Sequence, residues 1–398
     1  MKIIYDAIHK YMNFDNLQMQ IIDSPEFQRL REVKQLGLCY YVFPGASHNR
    51  FEHSLGVSYL CGLLIETLRD NQPELNISER LIQLVKVAGL VHDLGHACFS
   101  HFFDNHFLKN ININEKLKEH EYRSCILFEH IIKKYEIDMT QDEINIVKKM
   151  IEPDEDCKSF EYQIVANKVN GLDCDRFDYI ARDTQNVGLT YSFDFSRLLR
   201  EARVIDGQIC YPLKCNFEIG DLYYTRYKLH KQIYTHSVVR SIEFMILDLL
   251  KLIDKKLDLS RFIKDIDKFV ILTDNILSQV NFIDCLESKN LLNRIKKRDL
   301  YKLILEVPES NFDYENYFDK YKTNENIIID EIKLNYSMGG NNPLDYVKFY
   351  KNNMIIRNNL ETFIFPTKFE EKQIRVYIKN EIKEYEKIEI CNDLEKKI

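Results

Sequence analysis

The chain has 398 residues, with 55 Lys and Arg against 62 Asp and Glu, which gives a formal net charge of −7. This balance excludes a generally basic protein that coats nucleic acid, although a local basic groove stays open. Only 12 glycines and 8 prolines interrupt the chain, so the composition predicts a mainly α fold. The sequence has no run of 18 apolar residues, and we expect no membrane span.

Ten cysteines are scattered singly, and no two have CxxC spacing. Several lie inside apolar helical patterns, as Cys61 does, which indicates buried free thiols in a reducing compartment. The N-terminus lacks the apolar core of a secretion signal. We therefore expect a cytoplasmic protein, with the nucleus as the alternative.

The first 100 residues carry three helix signals. A helix is predicted around Pro25–Leu36, and apolar spacing predicts another from Glu52 to Leu68. Ser78 is a typical N-cap for a third helix, which is apolar nearly all round up to Val91 and is therefore expected to be buried. Gly95 is expected to end that helix.

The middle of the chain also has sequence patterns typical of helices. We predict helical structure over 160–183 and one long helix over 222–253. Between them, Asp206-Gly207 interrupts an apolar run and predicts a hairpin turn.

The C-terminal third mixes helices with strands. Strands are predicted near 363–365 and 374–378, and the charged tail 381–398 is expected to be a loosely held helix. The expected organisation is an N-terminal segment (1–45), a helical catalytic core (46–253) and a smaller α+β C-terminal lobe (254–398).

The strongest chemical signal is a set of His and Asp residues near helix ends: His53, the adjacent His92 and Asp93, and Asp175. Neutral imidazoles and carboxylates together suit a borderline divalent metal such as zinc, iron or manganese. A lone His-Asp pair at a helix end is more often a cap. Further histidines lie close together just downstream of His92, and they favour a metal site over a helix cap.

Four arginines lie in the same segments: Arg50, Arg176, Arg182 and Arg226. Guanidinium forks bind phosphates bidentately, so these residues suit a phosphorylated ligand. The alternative is a set of intramolecular salt bridges, which we favour for Arg182.

Long strings in this order resemble one known family. They are Val42–Val57, Ala88–His101, Asn170–Asp183, Leu229-His230, Asn342–Val347 and Ile374–Tyr377. The family is that of the animal deoxynucleoside triphosphate triphosphohydrolases that carry a sterile-alpha-motif domain and an HD domain. The resemblance covers nearly the whole chain and begins where the HD region of the family begins. It implies an HD-domain helical core.

The resemblance implies that His53, His92, Asp93 and Asp175 ligate one divalent transition metal, with Mg accompanying the nucleotide phosphates. A metal-activated water would attack the α-phosphorus of a dNTP, releasing the deoxynucleoside and inorganic triphosphate.

The resemblance also assigns roles to the residues around this site. His96, His101 and His120 match histidines that line the cleavage site, one of which protonates the leaving 5′ oxygen, and Asp104 matches their acidic partner. Residues that match the substrate pocket are Gln35, Leu36, Arg50, Arg176, Tyr179, Asp183, Arg226, His230 and Tyr234. Arg176 stands where the family carries Lys, and its fork geometry differs from an ammonium group.

The family is activated by GTP and dNTP bound between the subunits of a tetramer, so the resemblance implies a homo-tetramer or dimer. Residues that match the guanine site are Lys2, Ile3, Asp23, Gln28 and Arg31. Residues that match the second nucleotide site are Val42, Phe43, Arg197, Arg298, Lys302 and Lys379. Tyr5 departs from the family, which uses Asn there to contact both activators. For Arg298, a surface basic cluster is an equal alternative.

Two other functions compete with this one. The chain could be an HD phosphohydrolase for another nucleotide, which the sugar-pocket residues disfavour. It could instead be an oligomer that binds single-stranded nucleic acid weakly, which the charge of −7 disfavours.

Overall fold

The computed structural model describes residues 1–189, 194–308, 321, 324–356 and 366–380. In these residues the α-helices are α1 (Asn16–Ile22), α2 (Pro25–Gln28), α3 (Arg50–Asn71), α4 (Glu79–Val91), α5 (His120–Lys134), α6 (Gln141–Ile151), α7 (Cys174–Asn186), α8 (Ser196–Glu201), α9 (Asn216–Leu229), α10 (Ser237–Leu257), α11 (Leu259–Lys264), α12 (Ile266–Phe269), α13 (Ile276–Gln279) and α14 (Leu286–Lys296). The strands are β1 (Lys2–Asp6), β2 (Lys10–Phe14), β3 (Arg203–Ile205), β4 (Gln208–Pro212), β5 (Lys302–Pro308), β6 (Ile327–Asn335), β7 (Phe349–Lys351), β8 (Met354–Ile356) and β9 (Glu370–Ile378). The mainly α class with a C-terminal α+β region is confirmed.

Side-chain caps fix where the central helices begin. Asn49 and Glu52 form a capping box at the start of α3, and the Ser78 hydroxyl accepts a hydrogen bond from Leu81 N (3.1 Å) at the start of α4. Asp173 caps α7 by accepting from Arg176 N at 2.9 Å. The predicted helix 52–68 and the Ser78 cap are thus confirmed.

The expected role of Gly95 is wrong. Helix α4 ends at Val91 with His92 as its C-cap in right-handed geometry, and Gly95 lies in the turn beyond. A Cβ on Gly95 would lie 2.1 Å from the His120 carbonyl oxygen and 2.4 Å from Ser124 N. Gly95 is therefore needed for the close approach of α5 to the end of α4, which brings His120 towards His96.

Three predicted helices are broken in the structure. The segment 25–36 is α2 followed by a 3-10 turn over Arg29–Glu32. The segment 160–183 contains a 3-10 turn (Phe160–Gln163) and a left-handed Gly171 before α7 begins, because Asn167 and Asp173 bind the intervening backbone. The segment 222–253 divides into α9, a π-helical turn at His230–Tyr234, and α10. Hydrophobic periodicity does not predict these interruptions of the helices, because the spacing of apolar residues continues across them.

The strands form three small sheets in the described part of the chain. Strands β1 and β2 make an antiparallel hairpin, β3-β4-β7-β8 form a four-stranded sheet, and β5-β9-β6 form a three-stranded sheet. The Asp206-Gly207 turn joins β3 to β4 with positive φ at both residues (51° and 73°), as a type I′ hairpin requires. The predicted strand 374–378 lies within β9, while 363–365 and the tail 381–398 lie outside the described residues.

The cysteines agree with the prediction of free thiols. Nine of them lie in the described residues and none is in a disulfide there; all but Cys157 and Cys285 are buried. Among the helices that the structure describes, none combines the length and hydropathy needed to cross a bilayer.

We predict that Gly95→Ala lowers the free energy of unfolding by about 1–3 kcal/mol or more, because the new methyl group overlaps backbone atoms of α5. Urea unfolding followed by circular dichroism measures this change. Gly340→Ala is the matched control, since a Cβ there meets no atom within 4 Å, and we expect a change within about 0.5 kcal/mol. Equal stability of the two variants would contradict the close approach.

Candidate metal and nucleotide site

Two buried imidazoles point their Nε2 atoms at the same place. His53 Nδ1 is 2.7 Å from Asp178 Oδ2, and His92 Nδ1 is 2.8 Å from the Gly89 carbonyl oxygen. These partners hold the Nδ1 protons, so each Nε2 keeps its lone pair free. Among the described atoms, neither buried Nε2 has a hydrogen-bond partner. Such oriented and unpartnered nitrogens are typical of metal ligands.

Carboxylates complete this cluster. Asp175 Oδ1 is 3.0 Å from His53 Nε2 and 3.5 Å from His92 Nε2. Asp93 Oδ2 is 3.3 Å from His53 Nε2 and also pairs with Arg50. Candidate ligand atoms of His53, His92 and Asp175 all lie within 4.8 Å of one another. The four residues thus fit a divalent cation.

The protonation of the Asp175 carboxylate also suits such a cation. Burial would raise the pKa of Asp175, but the neighbouring imidazoles of His53 and His92 hold that pKa well below its usual value. The carboxylate is therefore ionised at neutral pH, as a metal ligand must be.

A second histidine cluster adjoins the first. The rings of His96 and His120 stack with centroids 3.9 Å apart, and His101 meets them edge-on at 4.8 and 5.1 Å. Asp104 Oδ2 lies 3.5 Å from His120 Nδ1, while its other oxygen accepts a 2.5 Å bond from Arg123. The four predicted catalytic residues therefore lie side by side.

Positive charge keeps part of this cluster neutral. Burial, followed by the charges of Arg50 and His120, lowers the pKa of His96 well below its usual value. Burial and the charges of Arg50 and His120 also lower the pKa of His101 to about 4. The His101 ring faces the open cavity, and water there weakens the effect of these charges on its pKa. Both imidazoles are uncharged at neutral pH in the free protein.

A cavity of about 740 Å³ opens onto both clusters. All nine predicted substrate residues line it: Gln35, Leu36, Arg50, Arg176, Tyr179, Asp183, Arg226, His230 and Tyr234. His101 and His120 also reach it, with His92, Asp93 and Asp175. The structure therefore gathers residues from distant parts of the chain around one space.

Asp175, Tyr179 and Asp183 line this cavity from one helix. They are spaced four apart and so share one face of α7, over about 12 Å. Asp183 accepts from Tyr234 OH and lies 2.6 Å from His48 Nε2, a residue that the sequence analysis did not single out. Gln35 Oε1 is buried without a partner among the described atoms. This end of the cavity offers hydrogen bonds to a hydroxylated ligand.

Two arginines also line the cavity. Arg176 Nη1 donates to Ser337 Oγ (2.6 Å) and Arg226 Nη1 donates to the Asn335 carbonyl (3.0 Å). The Nε atoms of both are buried and unpartnered in the described structure, so each retains capacity for an anion. Ser337 was missed because no local pattern links it to residue 176.

Arg182 behaves as expected for a salt-bridge residue. It is fully buried and binds Asp6 at 2.9 Å and Asp178 at 2.9 Å, and it does not line the cavity. Asp178 was also missed, although its place three residues after Asp175 on α7 is a signal that could have found it.

The predicted activator residues lie on the surface in several groups. Lys2 and Ile3 are exposed on β1, and Asp23 is exposed after α1. The Gln28 side chain accepts from Arg31 Nε at 2.9 Å, and the Arg31 guanidinium lies 3.5 Å from the centre of the Phe51 ring.

The second set of activator residues is more dispersed. Arg298 donates to the Tyr41 carbonyl at 3.1 Å, which places it beside Val42 and Phe43. Lys379 pairs with Asp248 at 2.6 Å, Lys302 begins β5, and Arg197 pairs with Glu201 and Glu218 on another part of the surface.

Comparison with known proteins identifies an HD domain over residues 50–183. The chain is 39% identical to deoxynucleoside triphosphate triphosphohydrolase SAMHD1 of Bos taurus, over 95% of this chain and 75% of that protein. It is 35% identical to the SAMHD1 homolog of Dictyostelium discoideum, over 96% of this chain and 78% of that protein. A putative HD domain-containing protein, L394 of Acanthamoeba polyphaga mimivirus, is 35% identical over 86% of this chain and 83% of its own length.

We predict that His106, which lines the cavity, makes the fold sensitive to acid. Burial and the charge of Arg240 lower its pKa from 6.5 to about 4, so the unfolded chain binds this proton more readily than the fold does. Stability is therefore lost as pH falls from about 6.5 to 4. Allowing for partial exposure, this loss is on the order of 1 kcal/mol by pH 5. His106→Gln, compared by urea unfolding at pH 7 and pH 5, should lose less than the native chain; an equal loss would contradict the assignment.

Proposed function

Because the chain belongs to the SAMHD1 family of deoxynucleoside triphosphate triphosphohydrolases, we propose that it cleaves a dNTP between the 5′ oxygen and the α-phosphorus, with a divalent metal held by His53, His92, Asp93 and Asp175. It is an HD-domain enzyme that hydrolyses deoxynucleoside triphosphates. The observation that carries the finer proposal is the meeting of the His53 and His92 Nε2 atoms, which lack hydrogen-bond partners, with two carboxylates. His92 and both carboxylates line the cavity.

The spacing of residues along α7 supports this orientation of the substrate. The roughly 12 Å from Asp175 to Asp183 along α7 leaves room for a metal ion, an α-phosphate and a deoxyribose between the two side chains. Asp183 and Gln35 bind the 3′-hydroxyl, while Leu36 and Tyr234 crowd the position of a 2′-hydroxyl. Arg50, Arg176 and Arg226 clamp the triphosphate.

The proposed cofactor is zinc, iron or manganese at the His/Asp cluster, with Mg on the nucleotide phosphates. A divalent cation at such a cluster supplies a bound water of lowered pKa and stabilises developing negative charge.

The second histidine cluster supplies the proton that the leaving 5′ oxygen needs. In the free protein, Arg50 helps to keep His101 neutral. A bound triphosphate neutralises Arg50 and adds negative charge, so it raises the pKa of His101 towards neutrality. A protonated His101 or His120 then donates to the leaving 5′ oxygen, while Asp104 and Arg123 hold the position of His120 and His96 is packed against both rings.

Control by nucleotide is the second part of the proposal. The exposed residues on β1 and the Gln28–Arg31 pair form a guanine-nucleotide site, and the surface around Val42, Phe43 and Arg298 takes a second nucleotide between subunits of a homo-tetramer or dimer. The Phe51 ring packs against the Arg31 guanidinium and steadies it for hydrogen bonding at its edge.

The decisive experiment is product analysis by ion-pair chromatography after incubation with dATP, with and without GTP, in Mg²⁺ or Mn²⁺. We expect deoxyadenosine and triphosphate, formed only when GTP is present. In H₂¹⁸O the label should enter triphosphate and not deoxyadenosine, because water attacks phosphorus. Release of monophosphate, or label in the nucleoside, would overturn the cleavage proposal. The same products without GTP would overturn the proposed control alone.

Asp175→Ala should reduce turnover of dNTP at least 1,000-fold and lower the metal content measured by mass spectrometry, because the variant removes a ligand. Asp142→Ala is the matched control, since Asp142 is also an aspartate in the first turn of a helix but lies exposed on α6. We expect native turnover and metal content there. Full activity of Asp175→Ala would contradict the site. Binding of single-stranded nucleic acid by an inactive native chain would favour the competing function.

A further inference from the structure

The N-terminal hairpin reaches the candidate metal site through one histidine. Asp6, at the end of β1, accepts hydrogen bonds from the backbone N–H groups of Ile8 and His9, both at 2.9 Å. This turn directs the His9 ring inward, where only 3% of its side chain is exposed. The ring packs against Tyr59 and Phe195, with centroids 5.6 and 5.8 Å away.

His9 ends at the carboxylate that orients a metal ligand. Its Nε2 is 2.6 Å from Asp178 Oδ1, and the other oxygen of Asp178 is 2.7 Å from His53 Nδ1. Asp178 is fully buried and also binds Arg182, which in turn binds Asp6. The hairpin and α7 are thus joined by two parallel connections, one through His9 and one through Asp6 and Arg182.

We infer that His9 is a positioning residue for the metal site, through which the N-terminal hairpin holds Asp178 and hence the orientation and basicity of His53. The inference rests on the proposed metal site. A carboxylate that accepts from Nδ1 fixes the tautomer and direction of a ligating imidazole, and loss of such support typically weakens metal binding about 10–100-fold. His9 holds that carboxylate from the side opposite to His53.

The connection also links two proposed sites. Lys2 and Ile3, proposed to bind a guanine nucleotide, begin the five-residue strand that ends at Asp6. A nucleotide that binds the hairpin in the position seen here favours the contact of His9 with Asp178. Binding free energies couple reciprocally, so nucleotide at the hairpin tightens metal at His53, and metal tightens nucleotide.

Two variants separate the hydrogen bond from the packing. His9→Phe keeps an aromatic ring beside Tyr59 and Phe195 but removes the N–H donor. His9→Gln keeps a donor near the Nε2 position and loses the ring. Asn13→Ala is the control, since Asn13 is exposed on β2 of the same hairpin.

Metal affinity is measured on the full chain by competition for Mn²⁺ or Zn²⁺ with a chromophoric chelator, at a temperature where circular dichroism shows every variant folded. We expect a Kd about 10–100-fold weaker for His9→Phe, within a few-fold of native for His9→Gln, and native for Asn13→Ala. A native Kd in His9→Phe, or equal weakening in both His9 variants, would overturn the inference while leaving the metal site standing. Failure of the native chain to bind metal would overturn the proposed function itself.

The native chain supplies a test that needs no variant. The Kd for metal is measured by the same chelator competition with and without GTP and without substrate. A tighter Kd with GTP is expected. An unchanged Kd would overturn the coupling between the hairpin and His53.

Discussion

The packing at the centre of this fold depends on the pairing of one buried carboxylate, that of Asp178. Asp178 has no exposed surface, and an ionised group in such a place is stable only when it is fully paired. It takes hydrogen bonds from Arg182 on its own helix, from His53 on α3 and from His9 in the N-terminal hairpin, so two other segments must converge on α7. Gly56 permits that convergence, because a Cβ there would lie 1.9 Å from Asp178 Oδ1. The demand for pairing thus fixes α3 against α7, and with it the place of His53 relative to Asp175.

Two buried arginines meet the same requirement for pairing. Arg50 pairs with Asp93 and donates to Ser100, while Arg123 binds Asp104 and the Gly95 carbonyl. Both arginines satisfy buried acceptors, and Arg50 also helps burial to keep His96 and His101 uncharged. An anionic ligand therefore changes the protonation of the cavity wall when it enters.

Features that depend on neighbouring residues were predicted better than features that depend on contacts between distant residues. Ser78 and the Asp206-Gly207 turn were readable because capping and hairpin chemistry act within a few residues. The candidate ligand set was first indicated by its residue types near helix ends, whereas the nine cavity residues were assigned as a set only by the resemblance of long motifs to a known family. Gly95 was misread because its function depends on α5, which packs against it from 25 or more residues away. His48, Asp178 and Ser337 were missed because their partners lie far along the chain and no periodicity encodes such contacts.

The contact of Arg176 with Ser337 spans 161 residues, and that of Arg226 with Asn335 spans 109. The four candidate ligands, in contrast, are all present once residue 175 has been synthesised. A nascent chain emerging from the ribosome thus acquires the components of its metal centre long before the segment that steadies its arginines. The order of synthesis therefore makes the four candidate ligands available before the residues that hold Arg176 and Arg226.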